Sequence, residues 1–76
     1  MKVKTADGTW LDGESAADLV KQMHESAAFA RSSSDRAWMQ LTAERALTQS
    51  GHQIRTSSAE QFLADLAKHG LVELQQ

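Results

Sequence analysis

Hydrophobic and polar residues alternate over residues 1–4, a glycine turn and a second short segment follow, and hydrophobic residues then recur at helical spacing in three later segments. A period of two residues indicates a strand, and steps of three and four residues indicate an amphipathic helix. The pattern predicts an α+β fold. We expect an N-terminal β-hairpin, three helices and one or two short further strands, which form a small antiparallel or mixed sheet packed on the helices.

The predicted hairpin covers residues 1–12, with residues 6–8 as a three-residue loop. Gly8 suits the left-handed position of such a loop, because it carries no Cβ. A two-residue loop, Asp7-Gly8, is the alternative, but it would set Val3 against Asp12. The three-residue loop predicts that Val3 and Leu11 face the core, with Trp10 half-exposed beside a lysine. Its register pairs Val3 with Leu11, Lys4 with Trp10 and Lys2 with Asp12.

Three serine-started segments predict the helices. Ser15 and Asp18 form a capping pattern for a first helix over about residues 16–30. The serine turn at residues 31–34 ends it, and Ser34 or Ser32 starts a second helix that Gly51 ends. Ser57 and Glu60 form a capping box for a third helix, in which Ala59, Phe62, Leu63, Leu66 and Ala67 share the buried face.

Short segments near the end of the chain predict the remaining strands. Residues 54–56 are a strand candidate before the third helix. Gly70 suits a Schellman ending with Leu71 folded back on Leu66, and residues 71–74 alternate as a last strand. We therefore expect one domain over residues 1–76, in the order ββααβα(β), with the pairing of the last strands open.

The second predicted helix has hydrophobic residues on two sides. Met39, Ala43, Ala46 and Leu47 form one stripe, while Trp38, Leu41 and Arg45 lie on another side. Either the helix packs on both sides, or Trp38 and Leu41 form an exposed patch for a partner.

Composition narrows the class of protein. The 76 residues include no cysteine, and the net charge is −2. No hydrophobic run approaches the roughly 20 residues that a membrane span needs, so we expect a soluble, cytoplasmic protein without a membrane role. A single small core gives limited stability, and either a monomer or a homodimer is compatible with this size.

Charge is distributed unevenly along the chain. Four acids fall within a twelve-residue stretch that contains no lysine or arginine: Asp7, Asp12, Glu14 and Asp18. This acid group would repel a phosphate backbone, so direct nucleic-acid binding is not expected. It either solubilises the surface or fits a basic groove on another protein.

Residues that could bind a metal, act as a nucleophile or hold a phosphate do not form a recognisable motif in the sequence. His24, His52 and His69 are distant in sequence, so no metal site is expected, and the last two suit positions near helix ends. The serines serve as helix caps, and the four glycines stand alone at turns, which gives neither a nucleophile motif nor a phosphate loop. We expect neither enzymatic activity nor a cofactor.

Several stretches together resemble small anti-CRISPR proteins that phages and other mobile elements carry, and in particular inhibitors of type I-C surveillance complexes. The resembling stretches are residues 1–8, 13–15, 19–23, 54–63 and 70–71; residues 35–50 lie outside the resemblance. The resemblance implies a phage-encoded inhibitor that binds a subunit of the host CRISPR effector complex, in the bacterial cytoplasm, and blocks recognition of target DNA.

The hypothesis for partner binding combines large hydrophobic side chains with the acid group. The predicted partner-binding residues are Asp7, Trp10, Asp12, Glu14, Asp18, Trp38, Leu41 and Arg45. Two alternatives remain. A nucleic-acid-binding or regulatory accessory protein would act through Arg31, Arg36, Arg45 and Arg55, and a homodimeric assembly module would bury Trp38 and Leu41 between two chains.

Overall fold

Three helices pack against a three-stranded antiparallel sheet, so the α+β prediction is confirmed. The computed structural model describes residues 1–27 and 34–75. The strand order is β2-β1-β3, with β1 in the centre. The elements are β1 (Lys2–Lys4), β2 (Trp10–Asp12), α1 (Ala16–Glu25), α2 (Asp35–Ser50), α3 (Ala59–Lys68) and β3 (Glu73–Gln75).

The hairpin has the predicted three-residue loop and register. Gly8 has a φ of 91°, which a side chain would resist. Its N–H donates to the Thr5 carbonyl at 2.9 Å, and the Thr5 N–H donates to the Thr9 carbonyl at 2.9 Å. The observed pairs are Lys2 with Asp12, Val3 with Leu11 and Lys4 with Trp10. The alternative two-residue loop is therefore wrong.

The core lies between the sheet and the helices. Its fully buried large side chains are Phe62, Leu19, Leu63, Val3 and Val20. Burial of each such side chain contributes about 1.5–3 kcal/mol relative to leaving it exposed. The sheet, α1 and α3 therefore supply the centre of the hydrophobic core.

Serine hydroxyls cap all three helices, as predicted, but the third cap is shifted by one residue. Ser15 accepts from the Asp18 N–H at 3.2 Å, and Ser34 accepts from the Ala37 N–H at 3.1 Å. The cap of α3 is Ser58, which accepts from the Gln61 N–H at 3.1 Å. The predicted capping box of Ser57 and Glu60 is wrong. Ser57 instead donates its hydroxyl to the Gln61 side-chain carbonyl.

Helix α1 ends at Glu25, five residues before the predicted end. The Ser26 hydroxyl donates to the Gln22 carbonyl at 3.0 Å, and such bonds compete with continuation of a helix. Residues 28–30 of the predicted helix and residues 31–33 of the predicted serine turn, including Arg31, lie outside the described residues.

Residues 54–56 form no strand, which corrects the predicted order to ββαααβ. The Arg55 N–H donates to the carboxylate of Asp65 at 2.8 Å. This backbone donor is therefore bonded to α3 and is not available for a sheet.

The predicted Schellman ending of α3 is confirmed. Gly70 has a φ of 74°, and the Leu71 N–H donates to the Leu66 carbonyl at 2.9 Å. The chain then enters β3, where Leu74 lies opposite Val3. In the described ranges, no helix has the length and apolar character that a membrane crossing requires.

Candidate protein-binding surface

The solvent side of the sheet carries one large aromatic ring. Val3 and Leu11 face the core, so their neighbours along the strands point to the opposite side. We call this side the outer sheet face. Its residues are Lys2, Lys4, Trp10, Asp12, Glu73 and Gln75.

Trp10 is 49% exposed on the outer sheet face. The Lys4 Nζ lies 6.0 Å from the centroid of its ring, at the limit of a cation–π contact, which fulfils the prediction of a half-exposed ring beside a lysine. A shallow depression of about 370 Å³ beside the ring is lined by Lys2, Trp10, Leu11, Asp12 and Gln75. The surface therefore offers an aromatic side chain with hydrogen-bonding groups around it.

Two members of the acid group, Asp7 and Asp18, accept hydrogen bonds within the local fold. Asp7 accepts hydrogen bonds from the Thr5 hydroxyl and, at 3.1 Å, from the Thr9 N–H. These bonds hold the pKa of Asp7 below its usual value. Asp18 accepts from the Glu14 N–H at 3.2 Å and from the Gln22 amide at 3.3 Å.

Asp12 and Glu14 are exposed, and so is Asp7, whose carboxylate is already hydrogen-bonded in the hairpin loop. Asp12 lies on the outer sheet face, at the opposite end of β2 from Trp10, and Glu14 lies two residues further, just before α1. These two carboxylates are the members of the acid group that are best placed to meet a basic surface.

Trp38 is a core residue, so of the two alternatives for α2 the exposed patch of Trp38 and Leu41 is wrong for Trp38. It is 4% exposed, its ring stacks on His24 at 5.5 Å, and it meets Phe62 edge-to-face at 5.8 Å. Among the described residues, none accepts a hydrogen bond from its indole N–H. With this burial, Trp38 offers little surface to a partner or to a second chain.

Leu41 and Arg45 are both exposed on α2, away from the outer sheet face. With Glu44, Thr48 and Gln49, they line a depression of about 250 Å³. Leu47 is 52% exposed, although the sequence assigned it to the buried stripe. Helix α2 thus carries two exposed leucines, and its contribution to the buried core is Trp38 and Met39.

A second charged region lies where the segment before α3 meets the C-terminal half of that helix. Asp65 is 7% exposed and accepts three hydrogen bonds from Arg55. The donors are the Arg55 N–H at 2.8 Å, Nε at 2.9 Å and Nη2 at 3.0 Å. The Arg55 bonds lower the pKa of the Asp65 carboxyl to about 2, and in return they raise the pKa of Arg55.

The Arg55–Asp65 pair lies in a wider cationic depression of about 740 Å³. Arg36 reaches it from the start of α2, and Lys68 and His69 reach it from the end of α3. Asp35, next to Arg36 in the sequence, lies 2.8 Å from Nδ1 of the buried His24.

The sequence also missed the contact between His52 and His69. Their rings stack with centroids 4.4 Å apart, so the residue that follows the cap of α2 contacts the C-cap residue of α3. Over residues 1–27 and 34–75, no cluster of three or more potential metal ligands occurs. Comparisons with family models, with curated proteins and with solved structures find no match.

Proposed function

We propose that the chain is a stoichiometric inhibitor that binds a subunit of a host CRISPR effector complex and prevents recognition of target DNA. The observation that carries the proposal is the exposed Trp10 ring on the outer sheet face. The class of partner follows from the resemblance of residues 1–8, 13–15, 19–23, 54–63 and 70–71 to small anti-CRISPR proteins. The site of action is then the bacterial cytoplasm.

Trp10 suits a role as the central contact of an interface. Tryptophan is enriched among the residues that dominate binding energy, because a large ring buries much area and has few torsions to order. The ring stands on an edge strand of the three-stranded sheet, with the Lys4 Nζ 6.0 Å from its centroid. Its two side-chain torsions keep the entropy lost on association small.

The exposed carboxylates of Asp12 and Glu14 favour a basic partner surface at one end of the outer sheet face, whereas over the face itself Lys2 and Lys4 balance Asp12 and Glu73. Asp12 lies on the same face as Trp10, and Glu14 follows it by two residues. An effector subunit that holds nucleic acid has a positively charged groove. Acidic side chains would speed association with such a groove and fix the orientation of the inhibitor.

The size of the chain is sufficient for this mode of inhibition. Its total accessible surface is 4784 Å². A standard interface buries about 800 Å² on each partner, or roughly one sixth of that surface. An interface of this size would extend beyond the six residues of the outer sheet face and would leave about five sixths of the surface exposed.

Pull-down of purified effector complexes with the full chain tests the proposal, together with an interference assay in cells that express it. We expect recovery of an effector subunit and loss of interference. Trp10→Ala should weaken binding by about 30-fold, as expected for loss of a dominant interface contact of about 2 kcal/mol. Leu47→Ala is the matched control, because it truncates another half-exposed hydrophobic side chain on a distant element.

Two results would contradict the proposal. One is recovery of no effector subunit together with full interference in expressing cells. The other is equal binding by the wild type and Trp10→Ala, with circular dichroism showing that both are folded; this result would move the interface away from the outer sheet face.

A further inference from the structure

The cationic depression concentrates positive charge in a chain that is acidic overall. Three of the eight lysines and arginines line it, whereas one of the ten acids does. With the histidines neutral, the lining charges sum to about +2, compared with −2 for the whole chain. The ionisable residues that line the cationic depression are Arg36, Arg55, Asp65, Lys68 and His69.

The charges come from three separate segments. Arg36 belongs to the first turn of α2, Arg55 to the segment before α3, and Lys68 to the last turn of α3. Bringing like charges together costs free energy unless an anion compensates them. Asp65 compensates one of the three cations by binding Arg55 directly.

Asp65 also fixes the direction of the Arg55 side chain. Its carboxylate accepts from Nε and Nη2, which uses two of the five N–H donors of the guanidinium. Three donors remain for another acceptor. Because the carboxylate also accepts from the Arg55 backbone N–H, both ends of the residue are held by one buried group. The guanidinium is thus oriented before any ligand arrives.

We infer that the cationic depression binds a phosphate group. A phosphate carries up to two negative charges and presents oxygens in several directions, which matches a net charge of about +2 delivered from three segments. A carboxylate carries one charge and has its two oxygens in one plane. The oriented Arg55 donates two or more hydrogen bonds, while Arg36 and Lys68 neutralise the remaining charge.

This site is independent of the proposed protein-binding surface. None of its lining residues belongs to β1, β2 or β3. Phosphate oxygens are shared by a free phosphate monoester, such as a mononucleotide, and by the backbone of a single-stranded nucleic acid. The monoester brings up to two charges on one phosphate, whereas the backbone brings one charge per phosphate and would match the site with two neighbouring phosphates.

Amide chemical-shift titration of the full chain tests the inference, with sodium chloride used to hold the ionic strength constant. The probes are inorganic phosphate, adenosine monophosphate and an octamer of deoxythymidylate. We expect saturable shifts centred on Arg36, Arg55 and Lys68, with dissociation constants of about 1 mM or below. Tighter binding of the monophosphate identifies a small-molecule ligand. Tighter binding of the octamer, weakened steeply by salt, identifies a nucleic-acid strand.

Charge-removing variants locate the site. Lys68→Gln and Arg36→Gln should each weaken binding by about tenfold, the loss expected for one charge-assisted contact, and both leave the Arg55–Asp65 bonds in place. Lys21→Gln removes an exposed lysine from α1 and should leave affinity within about twofold. Trp10→Ala should also leave phosphate binding unchanged.

Three outcomes would overturn the inference. They are absence of saturable shifts with every probe up to about 10 mM, equal shifts with sodium acetate at the same concentration, and equal losses of affinity in Lys21→Gln and Lys68→Gln.

Discussion

Helix α2 is longer than helix α3 but contributes fewer buried residues to the core. Helix α3 has ten residues and buries Phe62, Leu63 and Leu66. Helix α2 has sixteen residues, and its buried residues are Trp38 and Met39, both near its start. Beyond this first part, α2 carries the exposed side chains of Leu41 and Leu47. A long helix with strong caps is thus not necessarily a large part of the core.

The difference follows from the hydrophobic pattern. Helix α3 has its large hydrophobic residues on one face, so one packing surface buries them together. In α2, large hydrophobic residues point in several directions, and the core takes those of the first turns. The rest of α2 presents Leu41 and Arg45 on the surface.

The sharpest test of this comparison is truncation of one large side chain on each helix. Phe62→Ala on α3 should lower the free energy of unfolding by about 3–5 kcal/mol, because Phe62 is fully buried and the cavity is not refilled. Leu47→Ala on α2 should change it by less than about 0.5 kcal/mol. Urea denaturation measures both, and similar losses in the two variants would contradict the comparison.

A smaller effect is expected at the start of α3. Ser58→Ala should cost about 1 kcal/mol, because it removes the acceptor for the Gln61 N–H. Ser57→Ala, the adjacent control, should cost less than about half of that, since its hydroxyl bonds only a side chain. Thermal unfolding of the two variants decides between the observed cap and the predicted one; a larger loss for Ser57→Ala would favour the predicted cap.

The smallest effect concerns the ion pair that connects α3 to the segment before it. The pKa of Asp65 is about 2 in the folded chain, below its ordinary value of 3.8, so the native state favours the ionised carboxylate. Its contribution to stability is present above about pH 4 and is lost as the pH falls towards 2. The exposed Arg55 side chain keeps this contribution small, because solvent screens the charge.

Urea midpoints measured at intervals from pH 5 to pH 2 test this expectation. Asp65→Asn is the control, because the amide has nearly the same shape and does not titrate. The midpoint difference between wild type and variant should shrink as the pH falls. A difference that stays constant over this range would show that Asp65 is not stabilised in its ionised form.

Much of the fold could be predicted because its signals are local. Gly8 fixes the hairpin loop and therefore the register, Ser15 and Ser34 cap their helices, and Gly51 and Gly70 end theirs. Trp10 was also predictable, since the register alone sets it on the outer sheet face beside Lys4.

The errors arose where distant residues decide the structure. The bond from Arg55 to Asp65 spans ten residues and prevents the strand that the composition of residues 54–56 suggests. Trp38 is buried because His24 and Phe62 lie on either side of it, and neither contact is visible in the helical pattern. The sequence pointed to Arg36 and Arg55 as possible contacts for nucleic acid, but the cationic depression that they form with Lys68 arises only when folding brings three segments together.

The central position of β1 has a consequence for the order in which the chain folds during synthesis. Strand β1 leaves the ribosome before the three helices, yet its second partner, β3, follows all of them. Until residues 73–75 emerge, Lys2–Lys4 can belong only to a two-stranded ribbon, which is marginal by itself in water. Completion of the sheet therefore waits for every helix to be synthesised, and nascent chains halted before Glu73 should remain accessible to chaperones and proteases.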